Sequence, residues 1–152
     1  MVQVVLVAPE IPANTGNIAR TCAATGTPLH LIDPLGFHLT DRHLRRAGLD
    51  YWKAVNLQRH SSWSAFRHRY PEARCWCFSV RGQKNYTEVN YQGDDWLIFG
   101  SETQGLPDSI LQAYPSLHIP LLGPVRSLNV ANAVAIALFE ALRQLKTTAP
   151  GS

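Results

Sequence analysis

Short apolar runs alternate along this chain with longer stretches in which apolar residues recur at helical spacing. Val2–Ala8 is β-branched and continuous, the pattern of a strand buried on both faces, and Pro9-Glu-Ile-Pro12 stops it. Asn14–Gly26 follows as a helix, with Asn14 or Thr15 as its cap and Gly26 as its end. Leu29–Asp33 is a second strand, closed by Pro34-Leu-Gly36. Asp41–Gly48 predicts a short basic helix, Ala54–Leu57 a minor strand and Ser61–Tyr70 a further helix. Arg74–Val80 is a strand, and Arg81–Tyr86 a basic loop. Asp95–Gly100 is a strand running straight into Ser101–Pro107, and Asp108–Ala113 is a short helix. The last apolar run opens at Ile119 and turns through Gly123-Pro124. A long helix then carries Val130, Val134, Leu138 and Leu142 on one stripe, with Ala131, Ala135 and Phe139 beside it. Ser127 or Asn129 is its natural N-cap.

Strands alternating with helices define an α/β chain: a parallel sheet with helices on both faces. A length of 152 residues suits one domain, taken as residues 1–146, with 147–152 as a frayed tail. Ligands in such sheets gather at the carboxyl ends of the strands. That rule selects the loops Asn14–Arg20, Ser79–Asn85, Gly100–Gly105 and Leu121–Asn129.

Composition narrows the chemistry. The net charge of +3 is mild, but Arg greatly outnumbers Lys, which admits phosphate contacts and so a nucleic-acid partner. Cys22, Cys75 and Cys77 form no full disulfide set and no zinc-finger pair, so they are expected to be buried thiols of a cytoplasmic protein that binds no metal. The six histidines are scattered without ligand spacing. The N-terminal apolar run is too short to span a bilayer, and no membrane is expected as a partner. No G-x-G-x-x-G follows the first strand and no P-loop occurs, which disfavours both nucleotide folds.

What remains is polar residues in the selected loops. Arg126, Ser127, Asn129 and Asn132 crowd the mouth of an apolar helix. One of them is needed as a cap; four in seven residues suggest a ligand. Phe99-Gly-Ser-Glu-Thr-Gln-Gly-Leu106 sets two glycines around an acid at a strand end. Gly100 would let a ligand lie against the backbone, and Gly105 would permit a positive-φ turn. By itself this is an ordinary strand-to-helix turn, as Asn14-x-Gly-Asn-x-x-Arg20 by itself is a capped helix with a surface arginine.

Taken in order, N-T-G-N-I-A-R (14–20), F-G-S-E-T-Q-G-L (99–106) and I-P-L followed by R-S-L-N-V-A-N-A-V-A (119–135) resemble the three motifs of the SPOUT-class, TrmH-like RNA ribose 2′-O-methyltransferases. Pro9–Gly26 and L-R-R-A-G-L-D-Y (44–51) resemble its short subgroup, which methylates the wobble ribose, on cytidine or modified uridine, of leucine tRNAs. The resemblance covers the chain from Val4 to about Leu145. It implies a deep trefoil knot in the C-terminal part, a homodimer, and S-adenosylmethionine bound bent in the knot. The cofactor-binding positions it implies are Phe78, Ser79, Val80, Phe99, Gly100, Glu102, Gly105, Ile119, Leu121, Ser127 and Leu128. Apolar side chains with backbone donors there suit an adenine ring.

The implied catalytic set is Arg20, Glu102, Ser127 and Asn129. Arg20 would reach the partner subunit's cofactor and, because a guanidinium stays protonated, would stabilise charge and position the ribose instead of acting as base. Glu102 would fix the loop and its arginines, and Ser127 and Asn129 would bond the hydroxyl or the cofactor. Asn14, Arg20, Arg42, Arg45, Arg46 and Arg126 are the implied substrate contacts, with Arg81 and Lys84 as further candidates for gripping the tRNA anticodon stem-loop. Phe139 stands where close relatives carry Tyr, so any contact by that hydroxyl is missing. Two other readings are methylation at another tRNA or rRNA site, and an RNA-binding dimer without catalysis.

Overall fold

The computed structural model describes residues 1–148, without the side chains of 48–50 and 147–148. Seven strands, β1 (Gln3–Val7), β2 (Leu29–Ile32), β3 (Leu57–His60), β4 (Cys75–Phe78), β5 (Lys84–Asn85), β6 (Trp96–Phe99) and β7 (Ser116–His118), form one sheet in the order β3-β2-β1-β6-β4-β7-β5. Every pairing is parallel. The helices are α1 (Pro12–Thr25), α2 (Arg42–Gly48), α3 (Trp63–Arg69), α4 (Asp108–Ala113) and α5 (Val130–Thr148).

Alternation along the strands builds two cores. Val4 and Leu6 face Ile18 and Cys22 of α1 and Val134 and Leu138 of α5. Val5 and Val7 belong to the opposite layer with Phe66 of α3 and Ile110 of α4. The sheet is therefore covered on both faces, as the alternation of elements predicts, and α2 packs outside it on α1.

Several boundaries move, each for a local reason. α1 begins at Pro12, which fills the first helical position, so neither Asn14 nor Thr15 is the cap; Ile11 holds that position with no side-chain cap bond. Gly26 ends it in the left-handed conformation, as expected. The minor strand lies at Leu57–His60 and not at Ala54–Leu57, because a 3-10 turn at Leu49–Ala54 runs into the start of that stretch and only Leu57 of it joins the sheet. As an edge strand with half-exposed Gln58 and exposed Arg59, β3 shows no apolar run. The basic loop contains β5, and the final strand is Ser116–His118 instead of the run opening at Ile119. Pro120 has no N–H for a ladder, and the chain leaves the sheet before it. The buried stripe of α5 is Val134, Ala137, Leu138 and Ala141, leaving Phe139 55% exposed. α5 runs on through Thr147 and Thr148, and residues 149–152 of the expected tail lie outside the described ones.

One polar pair sits inside the α3 layer. His30 is fully buried, with Nδ1 2.9 Å from Nε2 of His60 and Nε2 bonded to Gln3, among the rings of Phe66, Tyr70 and Trp96. Burial first, then the charges of His60 and Arg69, push His30 from 6.5 down to about 4. The unfolded chain thus binds a proton near pH 6.5 that the folded chain refuses until about pH 4, so stability is full above 6.5 and declines as pH falls through that window. At pH 5 the loss is about 2 kcal/mol. Urea midpoints at pH 7.5 and pH 5, both above the main carboxylate range, check it.

Candidate active site

The carboxyl ends of β4, β6 and β7 open into a cavity of about 590 Å³, within the size range of small-molecule sites. Its base is apolar. Phe78 and Phe99 are register partners at the ends of β4 and β6, and their rings stack with centroids 4.7 Å apart and planes 11° from parallel. Ser79 and Val80 continue from one strand, Gly100 and the 101–105 loop from the other, and Ile119, Leu121, Ser127 and Leu128 from the segment after β7. All the expected cofactor positions therefore line one cavity.

Gly100 is required for a reason other than the one its sequence suggests. A Cβ there would lie 2.1 Å from the carbonyl carbon of Gly105 and 2.2 Å from the amide of Leu106, so the close approach is by its own loop. That loop closes through a bridge between Ser101 and Gly105, and Gly105 has φ +68°, the turn expected of it.

Hydrogen bonds tie the three polar loops together. Glu102 accepts from the backbone amides of Glu10 (2.9 Å) and Ile11 (2.6 Å) and, more weakly, from Asn14 Nδ2 (3.4 Å). The carboxylate thus holds the start of α1, where no side chain of the helix itself serves as cap. Among the described residues it forms no ion pair with an arginine. Asn129 caps α5: its Oδ1 accepts from Ala131 N at 2.8 Å, while its Nδ2 donates to Asn14 Oδ1 at 3.0 Å. Asn129 is therefore the cap of the two candidates, and one of its two Nδ2 hydrogens is already committed.

The Asn129→Ala variant is expected to lose about 1 kcal/mol of stability with the cap, whereas Asn129→Ser keeps a capping oxygen and most of that stability while releasing Asn14. Urea denaturation of both variants distinguishes the cap from the link.

Asn14, Glu102, Arg126, Ser127 and Asn129 line the cavity. Arg20, Arg42, Arg45 and Arg46 do not. Arg20 is exposed on α1 with its guanidinium 5.0 Å above the ring of Tyr51, and the other three sit on α2. Arg81 reaches the cavity rim and pairs with Asp108 at 3.5 Å, an exposed contact worth little. Ile11 and Leu111 also line the cavity although they lie outside the selected loops, and Thr103 does so from within the Gly100–Gly105 loop, where the sequence assigns it no role. The three cysteines are buried, and burial pushes Cys22 and Cys77 up to about 12 and Cys75 up to about 11, leaving inert thiols. Among the described residues no three His, Cys, Asp or Glu side chains gather as a metal site, and no helix is long and apolar enough to cross a membrane.

A model of the SpoU rRNA Methylase family matches residues 1–139. The tRNA (cytidine(34)-2′-O)-methyltransferase of Burkholderia cenocepacia is 48% identical over 149 residues, covering 95% of this chain and 96% of that one. A solved structure described as giving structural insights into the 2-OH methylation of C/U34 on tRNA is 51% identical, with a TM-score of 0.95 and 97% of both chains covered. The AdoMet-bound rRNA methyltransferase of Sinorhizobium meliloti is 27% identical with a TM-score of 0.86, over 95% of this chain and 56% of that one.

Proposed function

We propose, because the chain belongs to the SpoU rRNA methylase family, that it transfers a methyl group from S-adenosylmethionine to the ribose 2′-hydroxyl of the wobble nucleotide, cytidine or modified uridine, of leucine tRNAs. The observation that carries this reading is the meeting of all three polar loops around one cavity, joined through Glu102, Asn14 and Asn129. The residues present fit the methyl donor. Phe78, Phe99, Ile119 and Leu121 offer an apolar slot for an adenine, and the strand-end loops offer backbone amides and carbonyls to its edge. When bound, S-adenosylmethionine supplies a methyl group activated by a positively charged sulfur.

The chain's own part is positioning and charge. Ser127, exposed in the lining of the cavity, would bond the hydroxyl or the donor, and Arg126 beside it would hold a backbone phosphate. Glu102 and Asn14 keep the first two loops in register. Arg20 lines no part of its own cavity and is exposed beside Tyr51, so a part in transfer would come through a second subunit's cavity, which supports a homodimer with sites completed across the interface. Arg42, Arg45 and Arg46 on α2, which packs on α1, would join Arg20 in contacts to the tRNA anticodon stem-loop. β7 lies between β4 and β5, although β5 precedes it in the chain. That insertion supports a C-terminal trefoil knot. The relatives' work on tRNA supports a cytoplasmic location.

Incubation with methyl-labelled S-adenosylmethionine and bulk tRNA, followed by mapping of ribose methylation, tests the activity. Label at the wobble ribose of leucine tRNAs is expected. Binding of tRNA without transfer would leave a non-catalytic RNA-binding dimer, and label elsewhere would reassign the target.

A further inference from the structure

Glu10 stands outside the cavity, yet its side chain holds one of the cavity's walls. Its Oε1 accepts from Thr103 N at 3.2 Å and from Thr103 Oγ1 at 2.7 Å. Glu102 Oε1 returns the contact by accepting from Glu10 N at 2.9 Å. Each loop thus gives a carboxylate to the other's backbone amide, across 92 residues of sequence. Of the two partners, Thr103 lines the cavity and Glu10 does not.

The turn after β1 carries Ala8 at φ +52°, a costly conformation for a residue with a Cβ, and persists only if its surroundings hold it. Gly36 packs against it, donating its amide to Pro9 O at 2.9 Å where a Cβ would lie 2.8 Å from the Glu10 backbone. On the other side, the 101–105 loop is held from within by Gly105 N to Ser101 O (3.0 Å) and Gln104 N to Ser101 Oγ (3.2 Å). Its link to the first loop is the pair of carboxylates. The Thr103 bonds, and after them a contact from the Ser101 side chain, draw the Glu10 carboxyl below its ordinary 4.5, so they favour its ionised form.

We infer that Glu10 is a positioning residue for the methyl donor, setting the 101–104 wall through Thr103 in the shape that receives it. The inference rests on the donor-binding reading given above. Both bonds end on one acceptor oxygen, so a neutral amide oxygen can take them and a methyl group cannot.

Titration calorimetry with S-adenosylmethionine, on variants first checked for unchanged melting, tests this. Glu10→Ala is expected to raise Kd about tenfold, and Glu10→Gln to stay within about threefold of the parent. Turnover at saturating donor should stay within about twofold for both, because bound donor restores the wall. Thr103→Val, which keeps its backbone amide, should cost about threefold, and Glu10→Ala with Thr103→Val no more than Glu10→Ala alone. A Glu10→Ala chain that binds as the parent does, or a double variant weakened about thirtyfold, overturns the positioning role while the parent still binds. A parent chain that takes up no donor overturns the proposed activity, and the positioning role with it.

Discussion

Gly100→Ala is expected to abolish detectable uptake of S-adenosylmethionine while leaving a folded protein. The new methyl carbon would lie 2.1 Å from the Gly105 carbonyl carbon, 2.2 Å from Leu106 N and 2.6 Å from Gly105 O, all of them backbone atoms without a rotamer to change. Neither side can yield easily. Residue 100 follows directly on β6, whose four residues are buried, and Leu106 is buried in the α3–α4 layer. The 101–105 loop must therefore move as a unit, and with it Glu102, Thr103 and the cavity wall. Overpacking of this kind costs about 3 kcal/mol, less than the stability of an ordinary domain. Donor affinity should fall at least a hundredfold, on the order of 3 kcal/mol of binding energy. Gly105→Ala is the control from the same loop: its φ is +68° but nothing lies within 4 Å of the new carbon. It should cost about 1 kcal/mol of backbone strain and weaken the donor far less. Calorimetric titration and thermal melting of the two variants, side by side, measure the contrast. Equal donor affinity in both would mean that the crossing of Gly100 over Gly105 does not shape the cavity.

The same residue shows how far the sequence can be read. Polar residues in strand-end loops were enough to find the cavity, because a parallel sheet exposes those ends and the apolar run to Phe99 marks where one of them lies. The purpose of Gly100 was not legible, since a glycine needed for a ligand and a glycine needed for a crossing loop leave the same letter. Asn129 was legible as a cap, but its bond to Asn14, 115 residues away, was not. Asn14 was misread as a cap because the covering group is the carboxylate of Glu102, 88 residues on. The His30–His60 contact was equally hidden: two histidines thirty residues apart meet only because β2 and β3 pair in parallel. Edge strand β3 and the short β7 were displaced in the reading for one shared reason. Apolar continuity marks burial, and neither an edge strand nor a strand that ends beside a proline advertises itself that way.

Arg20→Ala is expected to lower methyl transfer at least a thousandfold, about 4 kcal/mol of transition-state stabilisation, while donor affinity stays within about twofold. The split follows from where the side chain lies. Arg20 lines no part of its own cavity and spends its guanidinium over the Tyr51 ring, so its removal takes nothing from the donor's slot in the same chain. If it serves a neighbour's cavity instead, the defect should be curable by mixing. Arg20→Ala keeps a sound cavity and lacks the guanidinium; Gly100→Ala keeps the guanidinium and lacks the cavity. A heterodimer of the two has one site with both parts and one with neither. Co-expression in equal amounts, with random pairing, should make half the dimers mixed and restore about a quarter of the parent's activity, although each variant alone is nearly inactive. Restoration is measured as labelled methyl transferred to tRNA per mole of chain. Mixed samples no more active than the separate variants would place Arg20 in its own subunit's chemistry or outside the chemistry altogether. Retained turnover in Arg20→Ala alone would remove it from the mechanism, and the exposed face of α1 would then be no more than a surface for RNA.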